Sequence, residues 1–229
     1  MAEEAVKNHT TPFDFLEQLL EKEIILKEDT RTIRWIAQAR FPWQKTLKEF
    51  DFSFQPSIDQ TLIFDLASSR FIDQGRNVIF VGPPGVGKTH LSVALGIEAI
   101  QHGYDAKFLL LNELIDHILK CNGDVIRLQR LLTTLLRPRL LILDDIDYYT
   151  MNDDTSEFMF KLVMQRYNNQ TSTIFTSNKG FDDWDMLFGQ KQRAGAAVDR
   201  ITERAEIIEV DGTSYRLKEK AEKATQPTN

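Results

Sequence analysis

The sequence predicts an α/β fold, a mostly parallel sheet covered by helices on both faces. Two observations predict it. From Asn77 onward, short apolar runs alternate with stretches of helical periodicity. The first of these runs, "NVIFV", is joined to the following helical stretch by a glycine- and proline-rich loop, "GPPGVG". Consecutive parallel strands need a crossover between them, and buried parallel strands read as continuous apolar runs.

The elements follow in order. Residues 1–10 are polar and read as a disordered tail. From Thr11, Phe15, Leu16, Leu19, Leu20, Ile24, Ile25, Ile33 and Ile36 recur at helical spacing, with Thr11 as N-cap and Pro12 in the first turn. Residues 11–41 therefore form a small helical module, either two helices or one bent helix ending before Pro42. Its apolar side chains either pack within their own bundle or, through Phe15, Leu16, Leu19 and Trp35, face a partner. Residues 42–56 form an aromatic linker; with Phe41 just before it, Trp43, Phe50, Phe52 and Phe54 give it enough rings to lie against something. The main domain spans 57–217, opening on a helix with Ser57 as N-cap and Gly75 near its end.

"NVIFV" is then a strand, and Lys88–His102 a helix closed by Gly103. "AKFLLL" is a strand, and Asn112–Cys121 and Asp124–Leu136 are helices around "NGD". "RLLILD", "TSTIFTSN" and "EIIEV" are strands, separated by helices over "TSEFMFKLVMQRYNN" and Ala194–Arg204. Residues 218–229 read as a flexible polar tail.

Composition narrows the class. With 42% hydrophobic and 27% charged residues the chain is an ordinary globular one. No apolar run approaches the ~18 residues of a membrane span, and the N-terminus lacks a signal-peptide core. A single cysteine, Cys121, excludes an internal disulfide and fits a reducing cytoplasm. A net charge of −6 argues against indiscriminate polyanion binding by the whole surface and leaves room for a local basic patch.

Gly82-Pro83-Pro84-Gly85-Val86-Gly87-Lys88-Thr89 matches the phosphate-loop pattern G-x-x-x-x-G-K-[ST] in full, between a strand and a helix. Glycines let the backbone wrap a phosphate, and loop amides and the helix N-terminus face the anion. Lys88 is placed to reach the β- and γ-phosphates of ATP and Thr89 to ligate Mg²⁺, and the nucleotide-binding stretch runs on to His90. The magnesium partner should be an acid ending a buried strand, and "RLLILDD" supplies Asp144, acting through water. Asp145 would polarise the attacking water. Its side chain is one methylene shorter than glutamate, and a misplacement of ~1 Å can cost ~10²-fold, which makes slow hydrolysis the expectation. Asn178, ending "TSN", is the candidate to hydrogen-bond that water or the γ-phosphate. Arg200, in "AAVDRITER", is a candidate finger for a neighbouring subunit's γ-phosphate. The plainer alternatives are a solvated acid, a turn-forming asparagine and a surface ion pair.

These residues sit among others that resemble one family. "ARFPWQKTL", "FDFSFQPSIDQ", "GPPGVGKTHL", "TSNKGFDDWDMLFG" and "DRITERAEIIEVDGTSYRLKE" are similar to the IstB-type ATPases, helper proteins of an insertion-sequence transposase. Their relatives are the DnaC/DnaI helicase loaders and the DnaA initiators of the AAA+ superfamily. The resemblance covers Thr11 to Glu219. It implies an AAA+ P-loop sheet of order 5-1-4-3-2 without a C-terminal lid, and ATP at a subunit boundary. Arg200 then matches the trans-acting finger and Asn178 the first sensor, and Phe50 and Phe52 lie near the adenine. Asp145 departs from the Asp-Glu pair common in the IstB group yet resembles the DnaA and DnaI versions of this strand.

In that clade a helical insertion after the second strand contacts DNA. The matching stretch here carries Lys120, Arg127, Arg130, Arg137 and Arg139, with Arg127 and Arg130 on one helix face. Phosphate contacts by these residues would be sequence-independent and salt-sensitive; from pattern alone the same charges read as a solvated face. Lys179, Lys191 and Arg193 are further candidates. The resemblance thus implies an ATPase that assembles as a homo-oligomeric ring or filament on double-stranded DNA and assists a transposase, with weak basal hydrolysis stimulated by DNA and subunit contact. The alternative is a replicative helicase loader. A small-molecule kinase would need an acceptor lid, for which no segment is a candidate.

Overall fold

The computed structural model describes residues 11–146, 151–180, 184–188 and 191–218. Helix α1 (Pro12–Ala39) is one continuous helix. Thr11 caps it, its hydroxyl accepting the Asp14 N–H at 3.2 Å. No glycine or proline follows Pro12 before the end, so nothing divides it into two. It stops where Arg40 turns left-handed, at φ 61°. Among the described residues the helix makes no bundle of its own: the C-terminal part packs Trp35, Ile36 and Ala39 on the core, while Phe13 is 75% and Leu16 53% exposed. Among the described residues no second helix covers that N-terminal half.

Helix α2 (Gln60–Ala67) begins two residues later than the Ser57 cap predicted. Asp59 caps it, its carboxylate accepting from the Thr61 and Leu62 amides. Ser57 is drawn away because its hydroxyl donates to the Asp211 carbonyl at 2.7 Å. Ser69, at φ 63°, then breaks the helix, and the single turn α3 (Arg70–Asp73) follows.

Strands β1 (Asn77–Val81), β2 (Ala106–Leu110), β3 (Leu140–Asp144), β4 (Ser172–Ser177) and β5 (Ala205–Glu209) form one parallel sheet in the order β2-β3-β4-β1-β5. That is the 5-1-4-3-2 order. Between them run α4 (Lys88–Gln101), α5 (Leu111–Lys120), α6 (Val125–Leu136), α7 (Asp153–Asn168), α8 (Asp185–Phe188) and α9 (Lys191–Thr202). Successive strand residues point to opposite faces, and the two cores divide accordingly. Val78, Phe80, Ile142 and Ile174 pack with Leu91, Leu95 and Ile100 of α4. Ile79, Leu141, Leu143 and Phe175 pack with Leu114, Leu132, Phe158 and Ile201 on the other side.

Arg166 of α7 is fully buried in the second layer. Its guanidinium donates to the carbonyls of Leu135 (2.8 Å), Pro138 (3.1 Å) and Ser172 (2.6 Å) and to the Thr173 hydroxyl (2.9 Å). It satisfies the Leu135 carbonyl, which the last turn of α6 leaves unpaired, and the Pro138 carbonyl just beyond the helix. Burial pushes its pKa down to about 9.

This topology positions the site. β4 lies between β1 and β3, with Val81 beside Ser177 and Leu143 beside Phe175. The loop after β1, the acids after β3 and the end of β4 therefore meet at one carboxyl edge, where ligands bind in open α/β sheets.

Candidate nucleotide site

The loop 82–87 turns from β1 into α4. It needs glycine where the backbone is left-handed, as at Gly87 (φ 107°), or closely approached, as at Gly82, where a Cβ would lie 2.0 Å from the Val210 carbonyl oxygen. Lys88, the first residue of α4, is buried. Its Nζ donates to the carbonyls of Gly82 (2.6 Å) and Pro83 (2.9 Å) and to Asn178 Oδ1 (2.7 Å). Thr89 Oγ1 lies 3.0 Å from both oxygens of Asp144.

Asp144 ends β3 and is 3% exposed. Burial pushes its carboxyl above its ordinary pKa, while hydrogen bonds from Thr176 and Thr89 pull it back. Thr176 Oγ1 donates to Asp144 Oδ1 at 2.5 Å. Asp145 leaves the strand with φ 58°, a left-handed conformation rare outside glycine. Its N–H donates to Thr176 Oγ1 at 2.9 Å, and its Oδ1 accepts from Asn178 Nδ2 at 3.1 Å. Lys88, Asn178 and Asp145 thus form one chain of contacts, and Thr89, Asp144 and Thr176 another.

A hydroxyl and a carboxylate side by side are hard oxygen donors of the kind Mg²⁺ takes. Among the described residues no group of three or more His, Cys, Asp and Glu could hold a metal. Thr89 and Asp144 are the pair that could, leaving the other positions to water and substrate oxygens, as Mg²⁺ prefers.

The aromatic linker lies against the loop. A Cβ on Gly87 would meet the Phe50 ring at 2.6 Å, and the Phe50 centroid is 5.2 Å from that of His90. Phe52 stands behind Phe50, between it and Phe64, at 4.8 and 6.0 Å. His90 Nε2 hydrogen-bonds the Thr46 carbonyl at 2.9 Å, and burial lowers its pKa.

Sequence reading missed the segment after β5. Residues 211–218 fold back over the loop: the Tyr215 N–H donates to the Gly85 carbonyl at 2.9 Å, and Ser214 packs on Gly85. The linker holds this segment from the other side. Gln55 Nε2 donates to the Thr213 carbonyl at 3.1 Å, and the Lys218 ammonium sits 3.3 Å from Asp51 and 4.6 Å from the Phe54 ring centroid. The sequence marked it as part of a stretch that carries the family resemblance and as the turn-prone "DGTS", and neither signal gives its contact with the loop. Thr176 was also missed; a hydroxyl in a buried strand was its only mark.

The structure does not bring Arg200 to this site. It lines a small recess with Gly75, Asn77 and Thr171, at the amino edge of the sheet. There it pairs with Asp199 at 2.6 Å and stacks over Tyr167 at 5.2 Å, with Arg204 over the same ring at 5.5 Å. Lys120, Arg127, Arg130 and Arg137 are all exposed, along the end of α5 and the length of α6. Arg127 pairs with Asp124 at 3.4 Å, and Arg139 with Asp73 at 3.6 Å. Arg193 is exposed on α9, and the Lys191 side chain lies outside the described residues.

Comparison with known proteins places this geometry. The chain is 41% identical over 220 residues to an ATP-binding protein assigned to insertion sequence IS21 of Pseudomonas aeruginosa, covering 96% of this chain and 82% of that protein. It is 35% identical, over 96% of its length and 87% of the relative's, to one assigned to IS5376 of Geobacillus stearothermophilus. Among solved structures, the DnaC helicase loader superposes with a TM-score of 0.56 at 27% identity, covering 66% of this chain and 86% of that one. AMPPCP-bound DnaA from Aquifex aeolicus shares the fold, with a TM-score of 0.60 at 18% identity over 83% of this chain and 58% of its own. The family described as IstB-like ATP binding protein matches residues 1–223, and to that family of AAA+ P-loop proteins this chain belongs.

Proposed function

We propose that the chain is an ATP-dependent DNA-binding ATPase that assembles on DNA and assists a transposase. The observation that carries this reading is the pair of contact chains at the carboxyl edge of the sheet, Lys88–Asn178–Asp145 and Thr89–Asp144–Thr176, in a member of the IstB-like family. Lys88 and the loop amides bind the phosphates; Thr89 and Asp144 would hold Mg²⁺, which would supply charge neutralisation at those phosphates. Asp145 polarises the attacking water, and Asn178 hydrogen-bonds that water and the γ-phosphate. Phe50 closes one side of the nucleotide, with Phe52 behind it. Arg200 serves a neighbouring copy's nucleotide, in keeping with its position away from the loop of its own chain. Lys120, Arg127, Arg130 and Arg137 take DNA phosphates without reading bases. Hydrolysis is slow in the isolated chain and rises with DNA and subunit contact.

Retention of duplex DNA and sedimentation, each with ATP, ADP or no nucleotide, test the reading on wild type and Lys88→Ala. Wild type should form a large DNA-bound species with ATP, and the variant should not. If Lys88→Ala assembles and holds DNA as wild type does, the reading fails. A helicase-loader role is the second reading, supported by the likeness to DnaC and by the exposed apolar face of α1. Capture of a replicative helicase in place of a transposase would favour it.

A further inference from the structure

We propose that Thr176 is a positioning residue for both acids of the nucleotide site, holding Asp144 toward the metal and fixing Asp145 in the turn that aims it at Asn178. This rests on the ATPase reading above and adds a residue to it.

In a regular strand, adjacent side chains point to opposite faces of the sheet. Asp144 and Asp145 cannot both serve one site unless the backbone turns between them. It does: Asp145 is left-handed, at φ 58°. For a non-glycine residue that conformation is costly and persists only where neighbouring groups over-determine it. Thr176 supplies the constraint. It is 1% exposed on β4, directly beside the exit of β3.

A hydroxyl has one proton to give and two lone pairs to receive. The Asp145 N–H can only donate, and it reaches Thr176 Oγ1 at 2.9 Å. The hydroxyl proton is then directed to Asp144 Oδ1, at 2.5 Å. The Thr176 carbonyl also accepts the Ile146 N–H at 3.0 Å. One residue thus binds three consecutive residues of the turn. Its placement bears on chemistry because Thr89 also donates to Asp144. When the Thr89 oxygen turns to a metal, Thr176 is the donor that stays on the carboxylate and keeps its plane. With the turn fixed, the Asp145 carboxylate accepts from Asn178 Nδ2 at 3.1 Å.

Thr176→Ala and Thr176→Ser test this as a pair, since both remove the methyl and only serine keeps the hydroxyl. Thr176→Val, which keeps the volume, is the third variant. In the nucleotide-free protein, amide exchange at Asp145 should speed up about tenfold in the alanine variant and stay near wild type in the serine one, the effect of one neutral hydrogen bond. The Mg²⁺ concentration for half-maximal binding of a fluorescent ATP analogue should rise about tenfold in the alanine and valine variants, with metal-free binding unchanged. Their turnover should fall by about 10²-fold with KM near wild type, as a misplacement of the acids predicts. Serine should stay within about threefold on every reading, in free energy about half the effect expected of the lost hydrogen bond. Equal behaviour of alanine and serine, or a Mg²⁺ requirement unmoved in alanine, overturns the proposal. If the valine variant does not fold, the alanine–serine pair still decides. If wild type hydrolyses no ATP under any condition, the ATPase reading fails, and the amide exchange and Mg²⁺ titration still judge Thr176.

Discussion

Asn178→Ala should tighten ADP binding while slowing hydrolysis. Lys88 Nζ donates to the Gly82 and Pro83 carbonyls and to Asn178 Oδ1 at 2.7 Å. To reach a phosphate, the ammonium must leave some of these partners. A hydrogen bond to a charged group contributes about 1.5–3 kcal/mol net, and water replaces part of it when one partner is cut away, leaving about 1 kcal/mol. Removing Asn178 therefore lowers the cost of recruiting Lys88 by about 1 kcal/mol, or about fivefold in affinity. ADP, lacking the γ-phosphate that Asn178 is proposed to contact, should show the whole gain. ATP loses that contact as well, so its affinity should change less, and the preference for ATP over ADP should fall by about fivefold. Turnover should drop by about 10²-fold because Asp145 loses its Nδ2 partner. Calorimetric titration of both nucleotides and phosphate release measure these quantities. Weaker ADP binding in the variant would refute the idea that Asn178 restrains Lys88.

Two further predictions concern the scaffold and the basic helices. Arg166→Ala removes four close hydrogen bonds from a buried site and leaves the Leu135, Pro138 and Ser172 carbonyls without their donor. It should cost about 3–5 kcal/mol and lower the melting midpoint by about 10 °C; a shift under about 3 °C would show that water takes over those carbonyls. Arg127→Ala with Arg130→Ala should weaken duplex DNA binding on every sequence alike and reduce the salt slope by about 2. An unchanged slope would move the DNA contact off α6.

Elements governed by local chemistry were legible in the sequence. The five strands announce themselves as apolar runs, and the eight-residue phosphate loop by glycines at fixed spacing. Asp144 stood out because it ends such a run. What was not legible depends on residues far apart in the chain. Ser57 looks like a cap, but Asp211 claims its hydroxyl and Asp59 takes the helix. α1 reads as a bundle because its apolar residues are many, yet period alone does not supply a second helix. The polar "DGTSY" gives no sign that Tyr215 binds the Gly85 carbonyl. Thr176 is one more hydroxyl in a strand until β3 is laid beside β4.

The short acid at position 145 is the point where local and distant constraints meet. From the sequence, aspartate there looks like a loss of reach relative to glutamate. The backbone gives it a different meaning. A left-handed residue at the end of β3 is needed to bring two adjacent acids to one face, and aspartate and asparagine adopt that conformation several-fold more often than other non-glycine residues. Their short polar side chains can hydrogen-bond locally, which a longer acid does less well. Asp145 gives up a methylene of reach and gains a turn it tolerates, with Thr176 receiving its N–H and Asn178 meeting its carboxylate. The same Asn178 holds Lys88, so the acid and the lysine proposed to bind phosphate share one amide. A phosphate that draws Lys88 off Asn178 Oδ1 therefore also changes the restraint on Asp145. In the proposed mechanism, phosphate binding by Lys88 and the readiness of Asp145 are therefore coupled through one side chain.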